Sequence, residues 1–205
     1  MEFLVTMTTR VPEGTADAAV DEIRAREAAH SRGLARRGRL LRLWRPPLRP
    51  GEWRTLGLFA AADGGELETV LAAMPLRIWR SDDVTPLLPH PNDPGPRAAA
   101  RAARMAPEFL TEFTVMIPPD GPDDAYTEAE AGEARRTREL AEQGYLQRLW
   151  ALTAEPGTLH AYGLWQAEDA DEMHDVLETL PLDAWMTVRT TPLSQHPNDP
   201  ALADG

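Results

Sequence analysis

His90-Pro91-Asn92-Asp93-Pro94 returns unchanged as His196-Pro197-Asn198-Asp199-Pro200, a displacement of 106 residues (196 − 90). The same shift lays the chain on itself without a gap from Glu2 on Glu108 to these two endings, with about 40 of roughly 93 aligned positions identical. Working outward, Pro75-Leu76 and Trp79 fall on Pro181-Leu182 and Trp185, and Pro50-Gly51 falls on Pro156-Gly157. Gly38, Leu40, Arg42, Leu43 and Trp44 fall on Gly144, Leu146, Arg148, Leu149 and Trp150, and Glu2-Phe3-Leu4 falls on Glu108-Phe109-Leu110. Solenoid repeats run to a few tens of residues, so a period this long marks a duplicated domain. The expected organisation is a first copy over residues 1–94, a linker over 95–107 and a second copy over 108–205. The linker is rich in Ala and Arg, bounded by proline and without the apolar face of a core element; its middle is a candidate helix.

Within each copy the hydrophobic period changes in a fixed order. Phe3–Pro12 and Phe109–Pro118 are β-prone and end at proline. Asp17–Arg37 and Asp123–Gln143 are rich in Ala, Glu and Arg and stop before Gly38 and Gly144, as long helices do. Leu40–Trp44 opens a second strand, Pro50-Gly51 turns it, and a third strand lies near Trp53–Ala60. A shorter helix at Glu66–Ala73 and a strand near Ile78–Pro86 complete the copy. The order β-α-β-β-α-β predicts an α+β fold of two ferredoxin-like modules, each an antiparallel sheet with two helices on one face. The other sheet face needs cover, so the expectation is an internal pseudo-dimer of the dimeric α+β barrel type, with further homo-oligomerisation left open.

Composition narrows the chemistry. The 205 residues include no cysteine and five histidines, so disulfides and thiolate nucleophiles are excluded and a metal site is not expected. A net charge of -12 argues against nucleic acid as a partner. No membrane-spanning stretch or secretory leader is read from the sequence, and a cytoplasmic protein acting on a small molecule is the expectation.

Val20, Ile23, Glu27, Ser31 and Leu34 share one helix face, and Tyr126, Ala129, Glu133, Thr137 and Leu140 share its counterpart. An acid therefore recurs inside an apolar stripe. Turning it toward a sheet costs several kcal/mol unless it is paired, hydrogen-bonded or protonated. Burial also raises a carboxyl pKa toward the range of a general base that afterwards serves as acid. The alternative is an ion pair with arginine that merely anchors the helix. Arg42 with Trp44, and Arg148 with Trp150, share a strand face; they are candidates to hold a substrate carboxylate and wall a pocket, or equally to be structural. His90 and His196 sit before proline in polar tails and read as turns or sealing contacts.

Taken together, the strand ending Thr8-Thr9-Arg10-Val11-Pro12, the helix with Glu27, and Gly38 through Leu43-Trp44-Arg45 resemble the muconolactone isomerase family, as do Met74-Pro75-Leu76 and His90-Pro91. The second copy carries Glu133, Gly144 through Leu149-Trp150, Leu180-Pro181-Leu182 and His196-Pro197. The resemblance implies a cofactor-independent isomerase that shifts a proton across a small unsaturated lactone in aromatic catabolism. It makes Glu27 and Glu133 the candidate bases. Each copy is longer than the family pattern after its Trp44 or Trp150, and only the second keeps a tyrosine, Tyr162, before the third strand's apolar end. Tyr162 joins Arg42, Trp44, Arg148 and Trp150 as a candidate to contact the substrate, and these departures leave room for another substrate, such as a polyketide-derived lactone or enone, and for one catalytic and one structural copy. A cyclase or cofactor-free monooxygenase of secondary metabolism, and a non-catalytic binding protein, are the alternatives.

Overall fold

The computed structural model describes residues 1–96, 106–119 and 122–202. The chain forms two compact units, one of Met1–Leu87 with Ser194–Gly205 and one of Leu88–Leu193. Relative to the sequence copies, the units have exchanged tails. The expected linker helix falls at residues 97–105, outside the described residues.

In unit 1, β1 (Glu2–Thr9), α1 (Asp17–Arg36), β2 (Leu40–Arg45), β3 (Arg54–Ala60), α2 (Gly64–Ala72), a 3-10 turn (Pro75–Trp79) and β4 (Arg80–Pro89) follow in order. In unit 2 the series is β5 (Glu108–Met116), α3 (Asp124–Glu142), β6 (Leu146–Leu152), β7 (Thr158–Gln166), α4 (Ala170–Glu178), a 3-10 turn (Asp183–Trp185) and β8 (Met186–Gln195). Strand β1 lies antiparallel between β3 and β4, and β2 pairs with β3; β5, β7, β8 and β6 repeat the pattern. Leu4 faces Leu58 and Thr85, and its counterpart Leu110 faces Leu164 and Thr191, so even the register is duplicated. The exchanged tails extend these sheets: Ser194 and Gln195 pair with Arg45 and Trp44, and Leu88 and Pro89 pair with Ala151 and Trp150. The α+β, two-module ferredoxin-like fold read from the periodicity is the fold adopted.

Alternation along β1 sends Phe3, Val5 and Met7 to one face, where they join Leu34 of α1, Leu67 and Leu71 of α2, and Phe59. Phe109, Phe113, Leu140, Met173, Leu177 and Trp165 build the second core. Both long helices end at a left-handed glycine, Gly38 (φ 65) and Gly144 (φ 82). Two boundaries differ from expectation. Helix α2 starts at Gly64 because Asp63 caps it, accepting the Glu66 N–H at 2.9 Å. Strand β4 starts at Arg80 because Pro75 opens a 3-10 turn that consumes the preceding residues.

Unit 2 carries tryptophan where unit 1 has Phe59, and its indole needs an acceptor: Trp165 Nε1 donates to Thr111 Oγ1 at 2.8 Å, both fully buried. The indole lies against Gly163, where an added Cβ would meet Nε1 at 2.3 Å. Gly163→Ala is therefore expected to cost about 1–3 kcal/mol by overpacking, read as a lower urea midpoint at unchanged slope. No helix among the described residues is long and apolar enough to cross a membrane.

Candidate active site: a helix glutamate beside a cavity in each unit

The helix faces predicted from spacing are realised. Glu27, Ser31 and Leu34 are the buried residues of α1, and Tyr126, Thr137 and Leu140 are buried on α3 with Glu133 half-buried among them. In both units the same backbone group grips the acid. Leu76 donates its N–H to Glu27 Oε2 at 2.8 Å, and Leu182 donates to Glu133 Oε2 at 3.1 Å. The repeated Pro-Leu pair thus serves to aim an amide at the helix glutamate. A cavity of about 370 Å³ lies beside Glu27 and one of about 490 Å³ beside Glu133.

The second oxygens have different fates. Glu27 Oε1 accepts from Arg80 Nη1 at 3.2 Å, and Arg80 is itself gripped by Asp82 at 2.6 and 3.0 Å. This trio is buried, the Arg80 side chain being 1 % exposed and that of Asp82 3 %. At the equivalent places of the second copy stand Met186 and Val188. Among the described residues no arginine or lysine pairs with Glu133. Burial pushes its carboxyl pKa above the ordinary value, opposed in part by the Leu182 amide. Phe113, Leu149, Leu159, Ala161, Trp165 and Leu180 give its cavity largely apolar walls.

The tails form part of the wall of both cavities. In each His-Pro-Asn-Asp clip the histidine Nδ1 accepts the asparagine N–H at 3.1 Å, in His90 with Asn92 and in His196 with Asn198. The histidine carbonyl accepts the aspartate N–H, at 3.1 Å for Asp93 and 2.8 Å for Asp199. His90 lines the unit 2 cavity and His196 that of unit 1. Burial lowers the His90 pKa against the pull of Asp93; His196 is pushed down to about 4 by burial and Arg45, opposed by Asp199. The lowering favours the neutral form of both rings at pH 7. With Nδ1 accepting, the proton sits on Nε2, making each ring a hydrogen-bond donor.

Other residues expected at the pocket lie elsewhere. Leu43 and Arg45 of β2, and Leu149 and Ala151 of β6, line the cavities. Arg42, Trp44, Arg148 and Trp150 alternate with them and project from the opposite face. Arg42 is clamped by Asp199, its Nη2 donating to Oδ2 at 3.0 Å, while Asp199 Oδ1 also accepts the Leu43 N–H at 3.1 Å. Arg148 and Leu149 make the same contacts with Asp93, at 3.2 and 2.9 Å. Each guanidinium stacks on its tryptophan at 4.8 Å. The arginines expected to take a substrate carboxylate thus anchor the clips. Tyr162, opposite Glu112 and Trp150 in the ladder, is also off the lining, whereas its neighbour Ala161 is on it. Arg80 and the clip histidines were not legible as site residues. Arg80 has no counterpart in the second copy, and a histidine before proline gives no sign of burial. Among the described residues no cluster of three or more His, Asp or Glu is placed to hold a metal ion.

Each unit is thus a small α+β module with a helix carboxylate beside a cavity of small-molecule size. The family model described as muconolactone delta-isomerase matches residues 1–93 and 107–199, and the chain belongs to that family. It is 34% identical over 92 residues to muconolactone delta-isomerase 1 of Acinetobacter lwoffii, covering 45% of this chain and 93% of that protein. Against the muconolactone delta-isomerase of Cupriavidus pinatubonensis the identity is again 34% over 92 residues, covering 45% of this chain and 97% of that protein. Among solved structures, a mutant chlorite dismutase from Candidatus Nitrospira defluvii superposes with a TM-score of 0.59 at 10% identity, covering 98% of this chain and 94% of that one. A heme-binding protein from Thermus thermophilus gives 0.57 at 12%, covering 100% and 95%. Those two likenesses run through both units and are of fold alone.

Proposed function

We propose that unit 2 is a cofactor-independent isomerase site that moves a proton, and with it a double bond, across a small unsaturated lactone or related enone. Glu133 is the base and then the acid. Its carboxylate takes a hydrogen from the carbon beside the activated system: that C–H bond breaks, an O–H bond forms on Glu133, and the electron pair delocalises toward the carbonyl oxygen. The same proton then returns to the far carbon and the carboxylate is regenerated. His90, neutral with Nε2–H available, is the donor for the oxygen on which charge develops. A neutral imidazole suits this role, since it stabilises the anion without surrendering a proton outright.

The observation that carries this reading is the contrast between the two acids: Glu133 faces its cavity with no cationic partner among the described residues, whereas Glu27 is held by Arg80. Family membership supports isomerisation as the reaction type. The largely apolar lining favours a substrate carrying little charge. Because the base must be ionised, kcat/KM should fall as pH falls through the raised Glu133 pKa. The acid limb of the profile, measured on a butenolide, is expected above the 4.5 of an ordinary glutamate. A limb at or below that value, or oxygen uptake accompanying turnover, would count against the assignment, the latter in favour of a monooxygenase.

A further inference from the structure

The unit 1 cavity lies beside the equivalent helix acid but surrounds it with different charges. Glu27 has both oxygens engaged, by Leu76 and Arg80, and Arg80 spends its remaining donors on Asp82, Met74 and the Leu71 carbonyl. Two other arginines line this cavity, Arg24 and Arg45. Their counterparts at the unit 2 cavity are Glu130 and Ala151. The two cavities have therefore diverged toward opposite electrostatic character within a protein whose net charge is -12.

Arg45 is exposed, with its guanidinium free of any carboxylate among the described residues. Arg24 stacks at 4.5 Å over the ring of Trp53, which also lines the cavity, and its ion pair to Asp21 is a loose, exposed one at 3.7 Å. His196 presents a neutral Nε2–H donor from the clip, with Asn198 beside it. Guanidinium, imidazole N–H and an aromatic platform are the groups that recognise a carboxylate carried on a flat ring. A volume of about 370 Å³ lies within the range of small-molecule sites.

We infer that the unit 1 cavity is a second small-molecule site, which binds a ring-bearing monocarboxylate without turning it over, Arg45 taking the carboxylate and the Arg24–Trp53 pair flanking the ring. No bond is made or broken there, because the acid that would move a proton is held in an ion pair. The absence of turnover rests on the proton-transfer role proposed for the helix acid, whereas binding rests on residues of unit 1 alone.

Calorimetric titration of the full chain with phenylacetate, and with neutral phenylacetamide of nearly the same shape, tests it. Phenylacetate is expected to bind with a Kd below about 1 mM, a modest affinity of about 4 kcal/mol, and phenylacetamide at least ten times more weakly. Arg45→Gln should weaken phenylacetate at least tenfold. Arg45 is on the surface, so the variant folds; should its melting curve say otherwise, Arg24→Gln probes the same site from the helix and should weaken binding at least threefold. No phenylacetate binding at 10 mM (about ten times the expected upper Kd), equal binding of acid and amide, or undiminished affinity in the folded arginine variant would each overturn the inference.

Discussion

Glu133→Gln is expected to slow isomerisation by about 10²–10⁴-fold, the usual contribution of a positioned general acid–base. The amide keeps the size of the side chain and an oxygen for the Leu182 N–H, so the cavity survives while the proton carrier is lost. Stability separates this from simple damage. A carboxyl whose pKa is raised by folding stabilises the native state at low pH, and that contribution disappears as pH rises through the folded value. Removing it should therefore leave stability at neutral pH equal or slightly higher and flatten its dependence on pH above the ordinary carboxylate range. Glu27→Gln should do the reverse, weakening the fold by depriving Arg80 of a partner. Rate assays with urea titrations on both variants would distinguish them; a Glu133→Gln enzyme that turns over at the normal rate would remove the proposed base.

Arg80→Met should be the most destabilising of these single changes, by about 3–5 kcal/mol, because it strips the buried Glu27 of its counter-charge and removes the closer of the two cations that hold Asp82. Asp82 retains Arg77 at 3.2 Å, but that arginine is shared with Glu68 and lies nearer the surface. Changing the partner as well, in Arg80→Met with Asp82→Val, installs the pair that unit 2 uses at Met186 and Val188. Part of the loss should then be recovered, since exchanging the Arg80–Asp82 pair for packed apolar side chains is often neutral in stability while Glu27 still lacks its cation. Urea midpoints of the single and double variants measure this directly. A double variant no more stable than the single one would mean that the loss comes from Glu27 alone and that Arg77 suffices for Asp82.

How much of this was legible in the sequence depends on whether the deciding partner lay nearby along the chain. Helices, strands and the inward direction of Glu27 and Glu133 follow from local periodicity, and the duplication checks each against its copy. The cap at Asp63 was also written locally, as an acid three residues before Glu66, though the predicted helix began beyond it. The fate of Glu27 was not local: its partner Arg80 is 53 residues away on another strand. The strand face carrying Arg42 and Trp44 could be read from alternation, but which face lines the cavity is decided by tertiary packing. The repeated Asp93 and Asp199 held a clue, since an arginine and an aspartate preserved together in both copies are candidates for a pair.

In a symmetric assembly of identical chains, any substitution falls on every copy of a site at once. Here each cavity joins a helix from one half of the chain to a histidine clip encoded in the other, so neither half on its own encodes a whole site. Covalent fusion lifts the constraint of sameness. An arginine can be installed at position 80 while position 186 stays methionine, and a single gene product can specialise its two chambers independently, the way two paralogous enzymes would.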